Sequence, residues 1–128
     1  MPQHDPRLGV SLEEYRQMRA ASMTERTLQN VIIAAAKRHG WLVYHTFDSR
    51  RSEPGYPDLT LVHPRLGVHA YRELKQQKGR VTPEQRRWLT ALTAAGVDAA
   101  VWRPWDWVTD AIPEWLANPT HNNERNDQ

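Results

Sequence analysis

The sequence contains no cysteine, so neither disulfide bonds nor thiolate metal ligands contribute to the stability or chemistry of the protein. It also lacks any apolar run of about 18 residues, the length that a membrane-spanning helix needs. The first ten residues, MPQHDPRLGV, lack the apolar centre of a signal peptide. Charge of one sign is not in large excess, since the formal net charge is only +2. These absences exclude a disulfide scaffold and a transmembrane helix, and we expect a soluble cytoplasmic protein with no membrane partner.

The chain is long enough for one domain with a real core and too short for two. It has 128 residues, of which 39% are hydrophobic and 25% are charged, as in ordinary globular proteins. Residues 1–10 carry two prolines without periodicity and residues 118–128 are polar throughout. We therefore expect one domain over residues 11–117 between a flexible N-terminus, 1–10, and a flexible C-terminal tail, 118–128.

Hydrophobic periodicity and capping signals predict the order α, α, β, β, β, α, β, α over this domain. Helices are predicted at 11–21, 24–40, 82–96 and 106–117, and strands at 41–47, 58–63, 68–74 and 97–102. In the third helix, Trp88, Leu89, Leu92 and Ala95 form the predicted buried stripe. Pro113 predicts a kink or break within the last helix.

The two central strands form a predicted hairpin with unusual charges. The turn Pro64–Gly67 separates them, and if His63 and Val68 close it as a pair, Asp58 lies opposite Glu73. Directly opposed side chains in an antiparallel pair have Cβ atoms about 4.5–5.5 Å apart, where like charges are destabilising. Carboxylate oxygens are ligands that Mg²⁺ prefers, so the pair suggests a cation site.

Lys75 lies on the same predicted face as Glu73, two residues further along the strand. It could orient or deprotonate a water molecule, or stabilise charge on a phosphate. The alternative is a surface salt-bridge cluster worth about 0–1 kcal/mol and without function. Gln85 and Glu25 lie on the apolar stripes of two predicted helices, and buried polar groups require partners, which a shared metal and phosphate site would supply.

Basic residues are concentrated after this hairpin. Residues 75–87 contain five basic residues and one acidic residue, which suits a phosphate-rich partner but is also typical of a solvated face. Within this stretch, Lys78 and Arg80 are the candidates for phosphate contacts. Arg50 and Arg51, in the loop before the hairpin, are further candidates for phosphate contacts, although exposed loop arginines usually contact only water.

His45, His63 and His69 could suggest zinc, but His63 borders the turn, which makes a zinc site the weaker alternative. The proline and glycine ahead of Asp58 predict a loop that leads into this residue.

Four blocks occur in order along the chain: GYPDLTLV, YRELK, GRVTPEQRRWL and AAGVDAAVW. Together they resemble the VRR-NUC branch of the PD-(D/E)XK nuclease superfamily, in its small stand-alone phage and bacterial form, over residues 24 to about 110. The glutamine shortly after the E-x-K motif is the feature typical of this branch. The resemblance implies an α/β fold with a restriction-endonuclease-like core, α-β-β-β-α-β, in which helices flank a mixed sheet.

The resemblance also implies a metal site. Asp58 and Glu73 would bind Mg²⁺ (or Mn²⁺), with the carbonyl of Leu74 as a third protein ligand. Lys75 would be the catalytic lysine. Gln85 would lie near the scissile phosphate, and Glu25 would be the catalytic acid of the first core helix.

The function that the resemblance implies is Mg²⁺-dependent endonuclease activity on the phosphodiester bonds of DNA. The expected substrate is branched, four-way-junction-like DNA, and the expected assembly is a homodimer like that of Holliday-junction resolvases. Two alternatives remain open: a non-catalytic DNA-binding module, and a nuclease acting on flap, single-stranded or duplex DNA.

Overall fold

A central four-stranded sheet and five helices make up most of the computed structural model, which describes residues 4–5, 9–46 and 53–120. The helices are α1 (Leu12–Ser22), α2 (Glu25–Arg38), α3 (Pro83–Ala94), α4 (Pro104–Val108) and α5 (Ala111–Ala117). The strands are β1 (His4–Asp5), β2 (Val10–Ser11), β3 (Leu42–His45), β4 (Leu59–His63), β5 (Val68–Leu74) and β6 (Asp98–Trp102).

The strand order of the main sheet is β3-β4-β5-β6. The first two pairings are antiparallel and the third, between β5 and β6, is parallel. This mixed sheet flanked by helices confirms the predicted fold class. The predicted hairpin register is confirmed too, because His63 pairs with Val68 and Leu59 pairs with Arg72. A short antiparallel ladder between β1 and β2 was not predicted from the sequence.

Side-chain caps begin the helices that carry the polar residues of interest. Thr24 caps α2 by accepting a hydrogen bond at its Oγ1 atom from the N–H of Thr27, at 3.1 Å. Thr82 caps α3 in the same way and Pro83 occupies the first helical position, where no intrahelical N–H is needed. Both caps fix the first turn of a helix, which is where Glu25 and Gln85 lie.

The two faces of the sheet differ in how completely they are covered. One face packs on α2 and α5 and contains the hydrophobic core, built around Leu28, Ile32, Leu61 and Leu116, each almost inaccessible to solvent. The other face is covered in part by α3. The prediction of a buried stripe on α3 is wrong, because no residue of α3 is fully buried. The helix covers one side of the sheet, and nothing in the described chain packs on the outer side of the helix.

A charged pair lies within the core face. The guanidinium of Arg72, a residue only 1% exposed, lies with its Nη1 atom 2.9 Å from Oδ1 of Asp98. Its centre is 4.7 Å from the ring of Trp102 and 4.6 Å from the ring of Trp115. Contacts with two aromatic faces and one carboxylate compensate the burial of this cation.

The last helical region differs from the prediction in where it breaks. It forms two helices, and the break lies at Thr109 and Asp110, where Asp110 adopts a left-handed φ of 68°. Pro113 does not cause the break, since it lies in the first turn of α5, where its missing N–H has no intrahelical acceptor to lose. None of the helices in the described residues is long and apolar enough to cross a membrane.

Candidate active site

Asp58 and Glu73 meet at one end of the hairpin formed by β4 and β5. Asp58 immediately precedes β4, so the observed register extends to place it opposite Glu73, on the sheet face that carries α3. Glu73 is 2% exposed. The Oδ2 atom of Asp58 accepts a hydrogen bond of 2.7 Å from the N–H of Leu74, which ties this carboxylate to the neighbouring strand.

Gln85 joins α3 to this pair. Its Oε1 atom accepts a hydrogen bond from the N–H of Thr82 at 2.9 Å, and its N–H donates to Oγ1 of Thr82 at 3.1 Å. This reciprocal cap leaves the amide Nε2 to donate to Oε2 of Glu73, at 2.9 Å. Both polar atoms of the Gln85 side-chain amide are therefore engaged, Oε1 by the backbone of Thr82 and Nε2 by the buried carboxylate of Glu73.

The other oxygen of Glu73, Oε1, is buried and receives no hydrogen bond from an N–H or hydroxyl group of the described residues. The pKa of Glu73 is raised to about 9, mainly by burial and in addition by a shared hydrogen bond with the Asp58 carboxyl and by the negative charge of that group. The positive charge of Lys75 lowers this pKa, and the negative charge of Glu25 raises it. A buried carboxyl oxygen without a donor, facing a second carboxylate, is a site whose chemistry fits a divalent cation.

Side chains alone do not complete a metal site in the described residues. Within residues 4–5, 9–46 and 53–120, no three His, Asp or Glu side chains lie close enough together to hold a metal ion. The two acids would thus need other oxygen ligands. The Leu74 carbonyl and water are of the type that Mg²⁺ accepts.

A polar pocket of about 210 Å³ opens beside the carboxylate of Asp58. It is lined by Glu25, Arg26, Gln29, Asp58 and Leu74. The first two turns of α2 supply three of these residues, so Glu25 lies near Asp58 in the pocket wall. Arg26 and Gln29 were not predicted as site residues, although Gln29 follows Glu25 at the i+4 spacing that places two side chains on one helix face.

Lys75 follows the last residue of β5 and is half-buried. Its N–H donates to the carbonyl of Trp102 at 3.1 Å, so β6 fixes its backbone. Its charge is close enough to Glu73 to lower the pKa of that carboxyl. Lys78 and Arg80 follow in an exposed turn. The predicted DNA contacts Arg50 and Arg51 lie outside the described residues.

Gly55, three residues before Asp58, packs directly on the backbone of α3. A Cβ atom at this position would lie 2.4 Å from the carbonyl carbon and oxygen of Glu84 and 2.7 Å from the nitrogen of Gln85. The φ of Gly55 is +91°, in the region that favours glycine. This contact, which was not predicted from the sequence, joins the segment leading into Asp58 to the helix turn that carries Gln85.

His63 is not available as a zinc ligand. Its Nε2 atom is 2.8 Å from the carbonyl oxygen of His39, and its Nδ1 atom accepts a hydrogen bond from the N–H of Leu66 at 3.2 Å. Both ring nitrogens are thus engaged on the core face of the sheet. His69 lies on the opposite face, so strand alternation separates the two histidines.

Comparisons with known proteins identify the family and support the fold. A family model described as VRR-NUC domain matches residues 4–104. A solved structure named "VRR_NUC domain" is 25% identical, with a TM-score of 0.59, and the alignment covers 73% of this chain and 99% of that one. A second, named "VRR_NUC domain protein", is 22% identical with a TM-score of 0.56, covers 73% of this chain and 88% of that one, and supports the fold alone. No match was found among curated proteins.

Proposed function

Because the chain belongs to the VRR-NUC family of nuclease-type, DNA-acting domains, we propose that it is a metal-dependent DNA endonuclease. The observation that carries this proposal is the pairing of Asp58 with Glu73, whose buried Oε1 atom receives no donor from the described residues. Lys75 supplies a positive charge beside them. Two acids and a lysine at the end of one hairpin are the groups that phosphodiester hydrolysis needs.

The carboxylates of Asp58 and Glu73 would hold Mg²⁺ or Mn²⁺, with the Leu74 carbonyl as a third protein ligand. When bound, such an ion polarises the scissile phosphate and lowers the pKa of a water molecule. Gln85 supports the site by donating to one oxygen of Glu73, which leaves the other oxygen for the cation. The hydrogen bond from the N–H of Leu74 orients Asp58 in the same way.

Lys75 would act on the substrate. Its ammonium group would position the attacking water and stabilise the charge that develops on the phosphate. Hydrolysis breaks the bond between phosphorus and the 3′-oxygen, which leaves as the strand is cut. Glu25 and Arg26, at the rim of the adjoining pocket, would border the same phosphate.

The test is cleavage of labelled DNA by the purified protein. Four-way junction, flap, linear duplex and single-stranded substrates are each incubated with Mg²⁺, Mn²⁺ or EDTA. We expect metal-dependent cutting with preference for the junction, and loss of cutting in Asp58→Ala and Lys75→Ala. The matched control is Lys37→Ala, which removes an exposed lysine from the far end of α2 and should cut like wild type.

The possible negative results distinguish between the alternative functions. If wild type binds DNA and cuts none of the four substrates, the chain is a non-catalytic DNA-binding module. If Asp58→Ala and Lys75→Ala cut as fast as wild type, the chemistry lies elsewhere. Preference for flap, duplex or single-stranded DNA would replace the branched substrate in the proposal and leave the catalytic residues in place.

The proposal includes a homodimer. Leu42 and Tyr44 on the edge strand β3 are 64% and 65% exposed, and Val62 beside them on β4 is 36% exposed. These side chains lie on the sheet face that α3 covers only in part. In addition, an edge strand such as β3 can pair in antiparallel fashion with a second copy of itself about a twofold axis. A dimer of this kind would present two sites to two DNA strands.

Sedimentation of Tyr44→Glu tests the dimer. We expect wild type to sediment as a dimer and Tyr44→Glu as a monomer, because a buried unpaired charge opposes association. Leu66→Glu is the control, since Leu66 is 48% exposed in the turn between β4 and β5, away from the edge strand. A monomeric wild type, or an unchanged Tyr44→Glu dimer, would contradict this part of the proposal.

A further inference from the structure

The turn that follows Lys75 is held by the side chain of Arg103, which directly follows β6, the parallel neighbour of β5. Residues 76–79 form a turn closed by a hydrogen bond of 3.0 Å from the N–H of Gly79 to the carbonyl of Gln76. The Nη1 atom of Arg103 donates to these same two residues' carbonyl oxygens, each at 2.8 Å, and lies 3.4 Å from the carbonyl oxygen of Gln77. One guanidinium nitrogen therefore ties the first and last carbonyls of the turn together.

Two more hydrogen bonds join the turn to α4. The side-chain Oε1 atom of Gln77 accepts from the N–H of Trp105 at 2.9 Å. The N–H of Arg103 donates to Oδ2 of Asp106 at 2.8 Å, which fixes Arg103 at the start of the helix. The turn and the first turn of α4 are thus a single hydrogen-bonded unit, with the guanidinium between them.

The position of Arg103 also fixes which way the main-chain amides point. No cis peptide bond occurs in the described residues, and within a trans peptide group the C=O and N–H bonds are antiparallel. The carbonyls of residues 76, 77 and 79 point toward Arg103, so the N–H groups of Gln77, Lys78 and Arg80 point away from it. None of these three N–H groups donates a hydrogen bond to another residue of the described chain.

Positive charge coincides with these amides. The side chains of Lys78 and Arg80 are exposed on the same short stretch. The stem of Lys75 packs on the turn as well, since a Cβ atom on Gly79 would lie 3.5 Å from its Cδ atom. Main-chain N–H groups beside basic side chains are the usual donors to DNA phosphates, and they position a strand without reading its sequence.

We propose that the Gln76–Arg80 segment is a phosphate-binding element for the DNA strand beside the scissile bond. Its ligands are the outward N–H groups of Gln77, Lys78 and Arg80, and Arg103 is the positioning residue that holds them outward. This inference rests on the proposed nuclease function, because it takes the strand at Lys75 to be the substrate.

The test compares Arg103→Met with Arg65→Met, which removes the same charge from the exposed turn between β4 and β5. Binding of junction DNA is measured with Ca²⁺ in place of Mg²⁺, using substrates that carry one uncharged methylphosphonate at successive positions. We expect wild type to lose affinity at a phosphate next to the cut. Arg103→Met should bind the unmodified DNA about tenfold more weakly and no longer distinguish that methylphosphonate.

Further measurements separate positioning from a direct charge contact. Arg103→Met should raise KM more than it lowers kcat and should speed amide hydrogen exchange at Gly79. Arg103→Lys, which keeps the charge and can donate to the carbonyls, should recover part of the affinity. Arg65→Met should keep the methylphosphonate pattern of wild type.

The inference is overturned if Arg103→Met and Arg65→Met weaken binding equally, or if Arg103→Met keeps the wild-type methylphosphonate pattern. Urea unfolding of Arg103→Met checks that the variant is folded when binding is measured. If the wild-type protein binds DNA without cutting it, the nuclease function is contradicted and the proposed phosphate contact still stands. If the wild-type protein binds no DNA, both proposals are contradicted.

Discussion

Replacing Gly55 by alanine tests whether the segment leading to Asp58 sets the position of α3. Both Gly55→Ala and Gly67→Ala place a Cβ on a left-handed backbone, with φ of +91° and +67°, which costs about 1–2 kcal/mol. Of the two added Cβ atoms, only the one at residue 55 would contact other atoms, because nothing lies within 4 Å of a Cβ on Gly67. Gly67→Ala is therefore the control for backbone strain.

The size of the effect follows from the contact distances. A Cβ on Gly55 would lie 2.4 Å from the Glu84 carbonyl group, whereas carbon atoms in ordinary contact are about 3.5–4.0 Å apart. The segment and α3 must therefore separate by about 1 Å, and overpacking of this kind costs about 1–3 kcal/mol more. The same shift stretches the 2.9 Å hydrogen bond from Gln85 to Glu73 beyond hydrogen-bonding range.

The assays are urea unfolding and the single-turnover rate of metal-dependent cleavage. We expect Gly67→Ala to lose about 1–2 kcal/mol of stability and to cut at the wild-type rate. Gly55→Ala should lose about 1–3 kcal/mol beyond that and cut about 100-fold more slowly, the usual consequence of a 1 Å misplacement at a catalytic site. Equal destabilisation of the two variants, with equal cutting rates, would refute the reasoning.

Three further predictions concern buried charge. Asp98→Ala should lower the free energy of unfolding by about 3–5 kcal/mol because it leaves Arg72 unpaired in the core. The double variant Arg72→Met/Asp98→Leu should recover much of this loss, as measured by urea unfolding, and no recovery would contradict the explanation. The raised pKa of Glu73, about 9 against an ordinary 4.5, means that the folded metal-free protein binds the extra proton between these values. Its stability should therefore fall as pH rises through that window, and Glu73→Gln should lack this part of the slope in denaturant titrations at several pH values. Mn²⁺ should raise the Tm of wild type more at pH 8 than at pH 6, because the ion must displace the proton on Glu73. It should leave the Tm of Asp58→Ala unchanged. A Tm shift of equal size in this variant would place the metal elsewhere.

The meeting of Asp58 and Glu73 could be predicted from the sequence because it is a local property. A four-residue turn between two alternating strands leaves little freedom of register, and a slip of one residue would move the apolar side chains of β4 to the other face. The pairing of His63 with Val68 then sets every other pair by counting.

The partner of Gln85 could not be predicted in the same way. Periodicity placed this residue on the inner side of its helix, but the sequence does not say where the helix lies along the sheet. That is decided by the backbone contact at Gly55, between segments that are distant in the chain, and by the reciprocal cap with Thr82. A glycine before Asp58 predicts a turn equally well whether it faces DNA or a helix.

Arg72 was missed for a different reason. Arginine is almost never fully buried, so a strand arginine is expected to reach solvent. Its burial depends on a carboxylate from β6 and on two tryptophan rings, from β6 and α5, and these groups are assembled only by the parallel pairing of β5 with β6. A pattern read along one strand contains no sign of them.

The unequal covering of the two sheet faces has a consequence for how the protein can change over evolution. The apolar packing that keeps the chain folded lies on the side of α2 and α5, whereas the exposed turn with Lys78 and Arg80, and α3 with no fully buried residue, lie away from it. Substitutions on the exposed positions of the turn and of α3 remove little buried surface, so they cost little stability. Substrate preference can therefore drift through these positions while the fold persists, and a directed-evolution library confined to them should retain a high fraction of folded variants.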